Sequence, residues 1–136
     1  MKIYYKISFK TCFVEKNDER MKNNTPITHE LICNEPWFTY IRSGLKPVEG
    51  RKNSPKYKKI QVGDFIHFSN GTEHFLSQVT EIRPYSSLEE YLHDVTISKA
   101  LPNISSFEEA INIYLQWSTP DEIKQHGFLG IFVKVL

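Results

Sequence analysis

The chain has 136 residues, 40% of them hydrophobic and 24% charged, with a formal net charge of +1. This is the usual size and composition of one globular domain with its own core, and it excludes a disordered or fibrous chain. The near-neutral total excludes general coating of nucleic acid, so any electrostatic attraction has to be local.

The first residues, Met1 to Lys6, lack the continuous apolar core and small-residue cleavage site of a secretory signal, and no apolar run is long enough to span a bilayer. The expectation is an intracellular protein, cytoplasmic or nuclear, with no membrane partner. Cys12 and Cys33 form no Cys-x-x-Cys pair and read as buried thiols in a reducing compartment.

Lys2 to Lys10 alternates, with Ile3, Tyr5, Ile7 and Phe9 on one face, and predicts a strand. Residues 15–26 are charged and Asn-rich and read as a long loop. Ile27 to Cys33 alternates again and predicts a second strand. Asn34 is placed to cap a helix with Glu35 and Pro36 in its first turn, an apolar face of Trp37, Tyr40 and Ile41, and a stop at Gly44. Lys46 to Lys59 carries two prolines and five lysines and reads as a basic loop. Asn70-Gly71 predicts a hairpin between Phe65–Phe68 and Phe75–Ile82. If the turn has two residues, His67 stands directly across from His74. That pair has no third ligand in view, so no metal site is expected.

Two capping boxes follow, Ser87-x-x-Glu90 and Ser106-x-x-Glu109. The first opens a helix with apolar Leu88, Tyr91, Leu92 and Val95, the second one with Phe107, Ala110, Ile111 and Tyr114. Thr119-Pro-Asp-Glu122 reads as the cap and first turn of a third helix ended by Gly127, and Phe128 to Leu136 as a final buried strand. Strands, a helix, a hairpin, helices and a closing strand do not alternate as βαβ units. The order predicts a single α+β domain, or a small barrel with helices packed at its ends.

The chemically informative stretch is Gly44-Leu-Lys46-Pro-Val-Glu49-Gly-Arg51. In an extended segment Glu49 and Arg51 project to one side, and Lys46 can reach the same place. Lysine offers a point charge to a phosphate, arginine a planar fork to a phosphate or a base edge, and glutamate an acceptor for a base amino group. The plainer reading is a solvated ion pair. Residues 42–59 hold seven basic residues and one acid, which makes either a phosphate-attracting lip or a solvated lysine-rich loop. For base stacking, Tyr57 is the first candidate and Tyr85 the second, while Trp37, Phe65, Phe68, Phe75, Phe107 and Phe132 are assigned to the core.

This Gly-x-Lys-x-x-Glu-x-Arg run, followed by Val62-Gly-Asp64 and a hairpin, resembles the ASCH domain family over about residues 29–136. The resemblance leaves residues 1–28 as an amino-terminal extension. It implies a PUA-like small β-barrel with short helices packed around it, and a cleft that binds RNA or a nucleoside, with DNA as a further ligand. Under this reading Arg42, Ser43, Lys46, Glu49, Arg51, Lys52, Tyr57 and Lys58 contact the nucleic acid, and no cofactor is needed. If the protein is instead an enzyme, Lys46 and Glu49 are the catalytic candidates. Some ASCH-like proteins resemble ribonucleases acting on single-stranded RNA. Another branch resembles amidohydrolases of N4-acetylcytidine, whose loop has a threonine where this chain has Glu49 and whose later glutamate has no counterpart near Leu101 to Ser105. Tyr114 and Ser118 are further candidates to line the cleft. A third class is a coactivator-type interaction module that pairs with a protein partner through the amino-terminal extension.

Overall fold

The computed structural model describes residues 25–136. The expected strand over residues 2–10, most of the loop over 15–26, and Cys12 lie outside the described residues. Strand β1 (Thr28–Ile32) leads into helix α1 (Trp37–Ser43), strand β2 (Val48–Lys52) and the one-turn helix α2 (Pro55–Lys58). Strands β3 (Phe65–Ser69) and β4 (His74–Tyr85) form the hairpin. Helices α3 (Leu88–Val95), α4 (Ile97–Ala100), α5 (Phe107–Tyr114) and α6 (Pro120–His126) then precede strand β5 (Phe128–Val135).

Among the described residues the strands make one five-stranded sheet in the order β1-β3-β4-β5-β2, with β1 and β3 parallel and every other pair antiparallel. The sheet curls into a half-barrel with the six short helices against it, the α+β, PUA-like architecture that was expected. A register shift between Val79 and Glu81 in β4 contributes to the bend.

The closing strand separates two cores because its side chains alternate. Phe128 and Phe132 face a cluster with Val48, Leu88, Tyr91, Leu92, Val95 and Leu101. Leu129, Ile131 and Val133 face a second cluster with Leu31, Phe38, Ile41, Ile66, Phe68 and Val79. Trp37 packs against both. Of the phenylalanines assigned to the core, Phe68 is fully enclosed, whereas Phe65, Phe75, Phe107 and Phe132 are half-buried.

Several local expectations are corrected. Asn34 gives α1 no side-chain cap. The carboxylate of Glu35 takes that role by accepting from Thr39 N at 3.1 Å, because it reaches one turn further in. The face that α1 buries is Phe38 and Ile41, with Trp37 and Tyr40 at its margins. The segment 46–59 is not a loop throughout, since β2 and α2 occupy most of it.

The hairpin pairs Phe68 with Phe75 and Ser69 with His74, so four residues, 70–73, form the connection rather than two. The side chain of Asn70 forces this by accepting from the backbone N–H groups of Thr72 and Glu73, an Asx turn. His67 is therefore opposite Leu76, although its Nε2 still reaches His74 Nδ1 diagonally at 3.0 Å. The hydroxyls of Ser87 and Ser106 cap their helices, but the return bond of a capping box is not made to either residue's own N–H. Glu90 instead accepts from Ser86 N.

The full capping box belongs to Thr119 and Glu122 at the start of α6. Thr119→Ala is expected to cost about 1 kcal/mol of stability, the usual loss for such a cap, measured by chemical denaturation.

Candidate functional site

Helix α1 ends at Gly44, whose φ of 89° is left-handed and suits glycine, and the chain turns there into β2. Leu45 points outward and Lys46 inward, where it is only 1% exposed. Its ammonium donates to Val48 O at 2.8 Å and to Ala100 O, and lies 3.5 Å from Glu49 Oε1. Two carbonyl acceptors and a nearby carboxylate thus surround it, the kind of pairing under which a buried ammonium is tolerated.

On β2, Glu49 and Arg51 share a side. Arg51 Nε donates to Glu49 Oε2 at 2.8 Å, and its terminal nitrogen approaches the same oxygen at 2.7 Å. The guanidinium also donates to Tyr57 Oη at 3.1 Å and to Ile32 O at 2.8 Å. That last bond ties the end of β1 to β2, which stand at opposite ends of the strand order among the described residues. The triad is therefore a buried network and not a solvated pair.

Burial pulls the Lys46 ammonium below its ordinary pKa, against the pull of Glu49. Burial would raise the Glu49 carboxyl, but Arg51 and Lys46 together outweigh it and hold it below the usual carboxylate value. For Arg51 burial is likewise outweighed, by Glu49 and Tyr57, and the guanidinium stays charged. Cys33, next to this network, is pushed up to about 12 by burial and by Glu49, so its thiol is neutral and unreactive.

Over this floor opens a cleft of about 310 Å³. Its aromatic walls are Trp37 from α1, Tyr57 from α2, Tyr114 from α5, Phe128 from β5, and Trp117 from the turn after α5. Trp117 is 49% exposed. Lys52 stands at the rim, with its ammonium held at 3.0 Å by Glu122 of α6. The inner wall is fixed by a hydroxyl pair, Tyr91 Oη and Tyr114 Oη at 2.9 Å. Gly50 leaves room for that wall, since a Cβ there would sit 2.8 Å from both Phe128 Cε2 and Tyr91 Oη.

Of the expected contact residues, Lys46, Glu49, Arg51, Lys52 and Tyr57 line this cleft, together with Tyr114 and Ser118. Arg42, Ser43 and Lys58 do not. Arg42 pairs with Glu73 at 2.8 Å and lies over the Phe38 ring, the Ser43 hydroxyl donates to Tyr40 O, and Lys58 is exposed on α2. Tyr57 is half-buried, with Arg51 and Lys56 over its ring. Tyr85 is outside the cleft, its hydroxyl donating to Asp94 at 2.5 Å. Trp37, expected in the core, is both a core margin and a cleft wall. Trp117 was missed, and the available signal was a tryptophan standing two residues before a helix cap. Among the described residues no group of three or more His, Cys, Asp or Glu side chains is placed to hold a metal ion, and no helix is long and apolar enough to cross a membrane.

Residues 31–129 match the ASCH domain family. Among solved structures, the chain is similar to the hypothetical protein PH0355, with 31% identity and a TM-score of 0.75 over 80% of this chain and 99% of that one. It is also similar to protein PF0455 from Pyrococcus furiosus, with 29% identity and a TM-score of 0.69 over 80% of this chain and 97% of that one. No curated protein matches the chain.

Proposed function

The chain belongs to the ASCH domain family, and from that premise we propose that it is a binding module for single-stranded RNA that takes one base into the cleft above Glu49. The observation that carries this reading is the make-up of the cleft, in which the rings of Trp37, Tyr57 and Trp117 stand around a polar floor whose charges are already paired. Unstacked bases are held by aromatic faces and by hydrogen bonds to their edges. A volume of about 310 Å³ is at the small end of ligand pockets, suited to one base or nucleoside and not to a duplex. The phosphates fall to the rim, where Lys52 and the exposed Lys56 and Lys58 of α2 supply charge.

Binding is favoured over cleavage by the state of the two groups a nuclease would use. Glu49 is held ionised with both oxygens engaged, which leaves no proton to donate and a weak pull for one. The ammonium of Lys46 is likewise engaged within the fold, by two carbonyls and by the Glu49 carboxylate.

The test is fluorescence anisotropy with an end-labelled single-stranded RNA decamer in EDTA, with recovery of the RNA afterwards. We expect saturable binding that weakens as salt rises, and full-length RNA at the end. Replacing Lys56 and Lys58 by glutamine is expected to flatten the log affinity against log salt plot by about 0.7 for each phosphate that the lysines no longer neutralise. Intact, unbound RNA would sink the proposal, and RNA cut by the protein would replace it with a nuclease.

A further inference from the structure

The turn between α5 and α6 carries a group that the fold leaves unused. Ser118 is 9% exposed and lines the cleft, yet its hydroxyl has no hydrogen-bond partner among the described residues. Nor is the hydroxyl fully enclosed, because the one fully enclosed side-chain polar atom without a partner among the described residues is Asn53 Oδ1. A hydroxyl without a protein partner beside a pocket is free to donate to or accept from a ligand that enters it.

The turn is held firmly enough for such a role. Gln116 N and Trp117 N donate to Ile113 O and Tyr114 O at 3.2 and 3.1 Å. On the other side Thr119 N donates to Glu122 Oε1 at 2.9 Å, Glu122 N returns a bond to Thr119 Oγ1 at 3.1 Å, and Glu122 Oε2 holds Lys52. Ser118 is thus fixed between two anchored residues, directly after the exposed indole of Trp117, and little entropy remains to be lost when it binds.

We propose that Ser118 is a specificity-determining residue, whose hydroxyl bonds a polar edge atom of the planar heteroaromatic ring taken into the cleft. This rests on the RNA-binding reading above and adds to it the group that tells one base from another. A hydroxyl both donates and accepts, so it discriminates by where the ring's polar atom lies and not simply by whether it is a donor. Glu49, with two cations on its oxygens, supplies acceptor character only.

The test compares wild type, Ser118→Ala and Ser118→Thr on decamers of uridylate, cytidylate and adenylate, alongside thermal melts. Wild type is expected to prefer one decamer. Ser118→Ala should weaken that one by about five- to tenfold, the worth of one hydrogen bond, with less change on the others and an unmoved melting temperature. Ser118→Thr keeps the hydroxyl and should retain the order of preference. Unchanged affinity of Ser118→Ala for all three would overturn the assignment while leaving the binding reading intact. A uniform loss with a lowered melting temperature would make Ser118 structural and overturn it too. No binding by wild type would remove both.

Discussion

Glu49→Ala is expected to destabilise the protein by about 3–5 kcal/mol, because it strips the counter-charge from two cations that the fold keeps out of water. For a chain of this length that is a fall of about 10–20 °C in melting temperature, read by calorimetry or circular dichroism. Lys46 is the reason for the size of the effect. Its side chain is only 1% exposed, whereas that of Arg51 retains 18%. The loss should be strongly non-additive with Lys46→Met, since the double variant no longer buries an unpaired ammonium. A second readout follows from the direction of the Glu49 shift. Its carboxyl is held below its ordinary 4.5 in the folded state, so the stability it gives is complete above that value and is lost as pH falls through the lower folded value. Glu49→Gln should therefore flatten the acid limb of the stability curve. An Ala variant that melts with wild type would mean that the triad is solvated after all.

The parts of this fold that were legible in the sequence are those fixed by neighbours. Alternation in residues 27–33, the Gly44 stop, the cap at Thr119 and the apolar run from Phe128 each depend on residues within one turn or one strand, and each falls where the pattern put it. The motif, too, was readable as a set of residues able to meet. Its depth was not. Lys46 stands in a lysine-rich segment and reads as surface, and what draws it inside is the carbonyl of Ala100, 54 residues away. The hairpin register turned on a single side chain, Asn70, whose carbonyl oxygen takes two backbone N–H groups and lengthens the turn. The cleft is a further step removed, because Trp37, Tyr57 and Trp117 come from three segments that meet only when the sheet curls. Local chemistry announces where a chain turns, and tertiary closure decides which of its charged groups become a floor and which stay a rim.

Trp117 is where that closure can be tested against binding with least risk to the fold. Trp117→Ala is expected to weaken single-stranded RNA binding by about 10–100-fold, the worth of one stacked base, with a change in stability within about 0.5 kcal/mol. The asymmetry follows from its position. Its ring is 49% exposed and belongs to neither core cluster, so its removal opens no cavity, and the turn beneath it is held by backbone bonds and by the Thr119–Glu122 box and not by the indole. Trp117→Phe should recover part of the affinity, since a smaller ring still offers a face. Tyr57→Ala is the necessary contrast. Its hydroxyl accepts from Arg51 and its ring lies under that guanidinium, so its loss should lower affinity and melting temperature together. If Trp117→Ala binds RNA as tightly as wild type, the ligand does not stack on the exposed wall, and the base would have to be held by Trp37 and Tyr57 alone.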